Sequence, residues 1–394
     1  MYSNIHMPKG FKCAGISAGI KSGGVKDMAL IFSEMPAASA GVFTRNQVCA
    51  APVKVCREHL KHGVARAIVM NSGVANACTG SEGMVAARDM AAETARIIGC
   101  EPQEVFICST GRIGPQLPLD KIVPGIGKLF DSALIGHVNE TAEAMMTTDT
   151  RPKVSTAEVH VHGTVVKIVG FAKGAGMIEP NMATMLSFIT TDAAVEQHAF
   201  QAALKKAVDA SFNRITVDGD QSTNDTVLAL ANGASGIHPL DESSTDWNTF
   251  FQGLENVCFE LAMMIVHDGE GADKFVTVNV AGAQSDAEAD LAARAVANSM
   301  LNKTAWAGTY PNWGRIMDAI GYSKARVDET LVAIHYDDRQ VVARGMRTEI
   351  AQEELIKVVS QTDFAINIDL HIGEGSATVY TCNCTEEYVR INVE

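Results

Sequence analysis

Within residues 173–192, KGAGMIEPNMATMLSFITTD, a threonine stands between a turn-rich run and an apolar, β-prone one. Cutting the Ala183–Thr184 peptide bond would make Thr184 a chain terminus that carries a hydroxyl nucleophile and a free α-amine on one residue. An α-amine titrates near ~8 and a lysine amine near ~10.4, so at neutral pH roughly a tenth of the former is in its basic form. Thr184 would then hold its own base. The hydroxyl can open the bond itself by attacking the Ala183 carbonyl, which a methyl side chain obstructs little, with water resolving the ester. The plainer reading, an ordinary strand threonine, fits the tripeptide ATM taken alone.

An acyl-transferring nucleophile also needs an oxyanion hole and a grip on its substrate. Ser109-Thr110-Gly111 lies where an apolar strand meets a turn, and a glycine there lets a backbone N–H approach a reacting carbonyl; the bare tripeptide is equally a common turn. Lys173 can hold a carboxylate as a point charge, or be a solvated lysine at a strand end. Asp268-Gly269-Glu270-Gly271 follows a long helical pattern: Glu270 suits an amino group, although an acidic glycine turn is also a usual helix end. GEGADK lacks the spacing of a phosphate loop. Asp218, Asp220 and Asn224 lack calcium-loop spacing and read as turn chemistry.

Around these residues the chain alternates strands and helices. MALIFSE, RAIVMNSG and EVFICST are short apolar strands running into glycine- or serine-rich turns. TAEVHVHGTVVKIVGFAKG reads as a hairpin turning near His162-Gly163, and a strand is expected from Thr184 through Ile189, with Thr184, Leu186 and Phe188 on one face. Trp247, Phe250, Phe251, Leu254, Val257, Cys258, Leu261, Ile265 and Val266 recur at helical spacing. Ser285-Asp-Ala-Glu288 reads as a capping box that opens a helix through about Met300. A soft boundary near residue 282 separates a catalytic unit, 1–281, from a smaller α+β unit, 282–394, whose strands lie in LVAIHYDD, QVVARG and AINIDLHIG. The fold class is α/β (α+β).

With 394 residues, 47% apolar and 20% charged, the chain can bury a large core. A formal charge of −14 argues against a nucleic-acid or anionic-membrane surface. The opening, MYSNIHMPKGFKCAG, has no basic region followed by an apolar core, and no apolar run reaches the ~18 residues of a membrane span, so a cytoplasmic protein is expected. Nine cysteines, an odd number at scattered spacings, make no disulfide framework. Cys382 and Cys384, and likewise His160 and His162, would share a strand face, but two ligands are too few for a metal, and none is expected.

Taken together, the segment 173–192 resembles the signature of the ornithine acetyltransferase (glutamate N-acetyltransferase) family. VMNSGVANACTG (69–80), CSTGRIGPQLP (108–118), MMTTDTRPK (145–153), TVDGDQSTNDT (216–226), HDGEGADKF (267–275), NWGRIMDAIGYS (312–323) and CTEEYVRIN (384–392) match further blocks in family order. The resemblance implies a layered α-β-β-α-type sandwich and self-cleavage before Thr184 into an α chain, 1–183, and a β chain, 184–394, assembled as an α2β2 heterotetramer. It implies acetyl transfer from N-acetyl-ornithine to glutamate through acetyl-Thr184, with Thr110 and Gly111 as the oxyanion pair. Lys173, Glu270, Asn392 and one of Thr147 and Thr148, with Thr147 favoured, would contact substrate. No cofactor is implied; some relatives also accept acetyl-CoA as a co-substrate. The family usually runs several residues past Asn392-Val393-Glu394 to a serine or threonine that touches substrate, a contact expected to be missing or clipped here. Two alternatives are a related N-terminal-nucleophile amidohydrolase or aminopeptidase, in which water takes the acyl group, and an uncut binding relative.

Overall fold

The computed structural model describes residues 5–134, 136–179 and 185–393. Ala183 and Thr184, the expected cleavage pair, lie outside the described residues. The fold is mixed α/β, in two compact units: Met1–Gly174, Pro180–Asn213 and Gln221–Ile265 form the first, and Ala175–Glu179, Arg214–Asp220 and Val266–Glu394 form the second.

The first unit is built on strands β1 (Phe11–Ile16), β2 (Met28–Phe43), β3 (Val64–Val74), β4 (Val105–Arg112), β5 (Lys153–Val161), β6 (Thr164–Lys173), β7 (Leu186–Thr191) and β8 (Thr226–Ala231). They form one sheet in the order β4-β3-β2-β8-β7-β6-β5, with β1 also paired to β2. The long β2 serves two groups of strands. Its first half pairs with β1 and β3, its second half with β8, and the register shifts between Phe32 and Ala37, around Pro36. Such an irregularity bends a strand and is where a proline is tolerated in a sheet. Core side chains come from both groups, among them Ile68 and Phe106 from one and Phe171, Phe188 and Leu228 from the other. The hairpin of β5 and β6 turns as its sequence suggests, with His162 at φ 49° and Gly163 at φ 76°, both left-handed as a two-residue primed turn requires. His162 therefore sits in the turn and does not share a strand face with His160. β7 runs from Leu186 to Thr191, two residues beyond the expected Ile189.

Helices α1 (Ala51–His59), α2 (Gly80–Ile98), α3 (Leu119–Ala133) and α4 (Val138–Met145) pack on the β1–β4 group. Helix α5 (Gln197–Ala210) is held to β2 by the Gln201 amide, which accepts from Gly41 N–H at 2.9 Å and donates to its carbonyl at 3.0 Å. Helix α6 (Trp247–His267) has the length and mean hydropathy, 1.2, of a membrane span, although no run of the sequence was expected to be long enough. Its place is nevertheless in the first unit: a Cβ added at Gly170 of β6 would strike Val257 and Leu261, and one added at Gly253 would strike Val159 of β5. These are contacts of a core helix.

The second unit contains β9 (Phe275–Ala283), β10 (Ala333–Tyr336), β11 (Arg339–Ala343), β12 (Met346–Arg347), β13 (Asp363–Asp369) and β14 (Gly375–Cys382), in the order β12-β11-β10-β13-β9-β14. Because β9 lies between β13 and β14, this unit takes in residues ahead of the turn near 282. Helix α7 (Asp286–Asn298) covers β9 and β14. Its cap is half of the expected box: Ser285 Oγ accepts from Glu288 N–H at 3.3 Å, while the Glu288 carboxylate accepts from Arg326 N–H at 2.8 Å instead of returning to the cap. The helix stops at Asn298, and Ser299 caps a separate α8 (Met300–Ala307). After α9 (Trp313–Tyr322) and α10 (Gln352–Val359), the chain closes on α11 (Glu386–Ile391).

Candidate active site

In the first unit, Thr110 and Gly111 stand near the end of β4. β3 and β4 run parallel with Ser72 opposite Thr110 and Gly73 opposite Gly111. Gly111 has φ 124°, and a Cβ there would lie 2.3 Å from the Gly73 carbonyl carbon, so only glycine fits. Behind them, Asn224 is buried and its Nδ2 donates to Ser109 O at 2.8 Å and Ala75 O at 2.6 Å, fixing the backbone just before Thr110. Ser109 Oγ donates to Asn71 Oδ1 at 2.7 Å.

Lys173 ends β6 opposite Leu186 of β7. Five strand spacings of ~4.8 Å would put β6 ~24 Å from β4 in a flat sheet, beyond side-chain reach. Yet Lys173 Nζ lies 3.5 Å from Thr110 Oγ1. The sheet therefore coils on itself around β2, and this coiling makes the site. The buried Asp149 sits where the two ends meet. Its Oδ1 accepts from Lys153 Nζ at 2.7 Å and Gly174 N–H at 2.6 Å; its Oδ2 accepts from Thr147 N–H at 3.0 Å and is 4.0 Å from Lys173 Nζ. Burial pushes the Asp149 carboxyl up, but Lys173 and Lys153, with the hydrogen bonds from Lys153 and Gly174, outweigh it and hold it well below the usual carboxylate range. A third ammonium, Lys21, donates to Met146 O at 3.0 Å; burial, in spite of the Asp27 carboxylate, lowers its proton affinity. Asp27 orders the loop that carries it, accepting from the N–H groups of Ala18, Ile20 and Lys21 at 2.6, 2.6 and 2.9 Å. Thr147 is half-buried and Thr148 exposed.

In the second unit, Glu270 is buried and its Oε2 accepts from Asn392 Nδ2 at 2.7 Å. The C-terminal helix is brought there by Thr385, whose hydroxyl donates to Gly271 O at 2.6 Å while its Oγ1 caps α11 at Glu387 N–H. Gly271, at φ 66°, leaves room for the Tyr388 backbone, which a Cβ would meet at 2.6 Å. Residues 175–179, which lead toward the expected cleavage point, are fixed on the same unit. Glu270 N–H donates to Ala175 O at 2.9 Å, a Cβ on Gly176 would lie 2.3 Å from the Glu270 carboxyl carbon, and Asp218 accepts from Met177 N–H at 2.6 Å and Ile178 N–H at 2.8 Å. Asp218 is thus more than a turn residue: it also accepts from Tyr388 OH at 3.2 Å. Among the described residues no three His, Cys, Asp or Glu side chains are grouped so as to hold a metal ion.

Thr110, Gly111, Thr147 and Lys173 thus share one neighbourhood, and Glu270 and Asn392 another. Asp149, Lys153 and Lys21 were not foreseen; the spacing of Asp149 to Lys153, four residues, was the available signal. In the first unit a hydroxyl and a glycine backbone stand beside an ammonium, and in the second a buried carboxylate accepts from an amide.

Comparison with known proteins decides the family, because the model described as the ArgJ family matches residues 12–394. The chain belongs to the ArgJ family. The arginine biosynthesis bifunctional protein ArgJ of Geobacter sulfurreducens is 47% identical over 387 residues, covering 98% of both chains. That of Dehalococcoides mccartyi is 44% identical over 394 residues, covering 99% of this chain and 96% of its own. A solved ArgJ structure from Bacillus halodurans is 40% identical, with a TM-score of 0.51 over 53% of this chain and 99% of that one. The family match, residues 12–394, spans every segment in which the candidate residues lie.

Proposed function

We propose that the protein transfers the acetyl group of N-acetyl-L-ornithine to L-glutamate in arginine biosynthesis. The observation that carries this reading is the ArgJ match over nearly the whole chain to relatives named for that pathway. Self-cleavage frees the Thr184 amine. That amine takes the hydroxyl proton as Thr184 Oγ1 attacks the acetyl carbonyl, and Thr110 Oγ1–H and Gly111 N–H donate to the tetrahedral oxyanion. Collapse breaks the bond between the acetyl carbon and the α-nitrogen, returns the proton to the leaving α-amine of ornithine, and leaves acetyl-Thr184. Glutamate then attacks with its amine, so the kinetics are ping-pong. The reading needs no cofactor or metal, with acetyl-CoA as an alternative donor in the bifunctional form, and the maturing chains pair as α2β2 in the cytoplasm.

The test is to supply N-acetyl-ornithine with and without glutamate. Acetyl-glutamate formed only with glutamate supports transfer; acetate formed at equal rate in both reactions would establish an amidohydrolase instead. Glu270 gives a second check. Glu270→Gln keeps the shape and the Asn392 contact but removes the charge that would meet an ornithine amino group. Charge-assisted hydrogen bonds are worth about 1.5–3 kcal/mol, so KM for acetyl-ornithine is expected to rise about 10–100-fold with kcat changed less. Initial rates across donor concentration measure it, and an unchanged KM would remove Glu270 from the donor site.

A further inference from the structure

The reaction just described gives no task to Asp149, whose side chain is 0% exposed. Burying a carboxylate is unfavourable unless charges and donors surround it, and here every partner belongs to a segment that carries the proposed chemistry. Thr147 N–H and Gly174 N–H fix the backbone on either side, Lys153 closes the start of β5, and Lys173 ends β6. The consequence reaches Thr110. An ammonium can only donate hydrogen bonds, so in the 3.5 Å contact from Lys173 Nζ the Thr110 oxygen is the acceptor. Its own O–H hydrogen must then point elsewhere, as an oxyanion donor requires.

We infer that Asp149 is a positioning residue: by holding the Lys173 ammonium against Thr110, it orients the Thr110 hydroxyl hydrogen toward the developing oxyanion. This rests on the reading of Thr110 as an oxyanion donor. The alternative is that Asp149 and Lys153 are a structural ion pair and nothing more. The charged groups facing Asp149 are Lys153, Lys173 and Lys21, the last with Asp27 as its own counter-charge.

The experiment compares Asp149→Asn and Asp149→Glu in the full chain by two readouts. The first is the titration of Lys173, followed by pH-dependent amine labelling and peptide mass spectrometry, which needs no activity. The second is the pH profile of acetyl transfer. Asp149→Asn removes the counter-charge of Lys173, so its titration is expected to move to lower pH and the alkaline limb of kcat to move with it. Loss of one oriented oxyanion donor lowers kcat on the order of 10²-fold. Asp149→Glu restores the charge and is expected to recover most of both. A structural pair would lower the melting temperature while leaving kcat and the alkaline limb of its pH profile in place, which would overturn the proposal. Should Asp149→Asn fail to fold, Asp149→Asn combined with Lys153→Met removes the buried pair together; wild-type kcat in that protein would overturn it as well. If the wild-type protein itself transfers no acetyl group, the functional reading fails and the Lys173 titration alone decides the Asp149 tie, a moved titration supporting it and an unmoved one refuting it.

Discussion

Thr184→Ala is expected to leave one uncut chain of 41.9 kDa and no measurable acetyl transfer. Two functions disappear with one side chain. Without the hydroxyl, nothing attacks the Ala183 carbonyl, so the α-amine that would serve as base is never released. Even if the bond were cut by other means, no nucleophile would remain to form the acyl intermediate. Loss of a nucleophile that acts as a unit with its base typically costs on the order of 10⁴–10⁶ in rate. A denaturing intact-mass spectrum reads maturation and the acetyl-ornithine assay reads activity. In the same spectrum the wild-type protein should appear as two chains meeting at Ala183 and Thr184. Thr184→Ser, which keeps a hydroxyl, should mature and retain a fraction of the rate. An alanine variant that is cut and active would end the proposal that Thr184 is the nucleophile.

Much of the framework that presents these groups was legible because local patterns and tertiary structure agree. The strands β3 and β4 follow from apolar runs ending in small residues, and the hairpin of β5 and β6 from His162-Gly163 between alternating arms; of β2 only the first part was read, since MALIFSE was expected to turn where the strand in fact continues to Phe43. Helix α6 followed from its periodicity, although its apolar composition alone cannot tell a core helix from a membrane span; the close approach of Gly170 to Val257 and Leu261 does. What stayed illegible depends on distance across the sheet. Nothing local in TTDTRPK singles out Asp149, and only the coiling of the sheet, which carries the end of β6 to the end of β4, buries it among ammonium groups. Glu288 shows the same limit on a small scale: the capping box is written in the sequence, but Arg326 N–H competes for the carboxylate and wins. Asn224 was read as a turn residue because its two carbonyl partners, Ala75 and Ser109, are far away in sequence.

Gly111→Ala is the substitution that should damage both the fold and the chemistry. The glycine has φ 124°, where an L side chain is strained, and its missing Cβ would sit 2.3, 2.6 and 2.7 Å from the carbonyl carbon, carbonyl oxygen and Cα of Gly73. All three are backbone atoms of the paired strand, so no side chain can swing aside; β3 and β4 must part. Positive-φ strain and overpacking each cost about 1–3 kcal/mol, and the same displacement moves the N–H proposed to bind the oxyanion. Loss of such a donor lowers kcat on the order of 10²–10³-fold. Gly114 supplies the control, since it also has positive φ, 108°, but a Cβ there meets nothing within 4 Å. Gly114→Ala should therefore show the dihedral cost alone, a modest fall in melting temperature with kcat near wild type. Melting curves and transfer rates of the two variants, measured side by side, separate backbone strain from collision. If Gly111→Ala melts and turns over like Gly114→Ala, the close parallel pairing of Gly73 with Gly111 is not what holds the oxyanion donor in place.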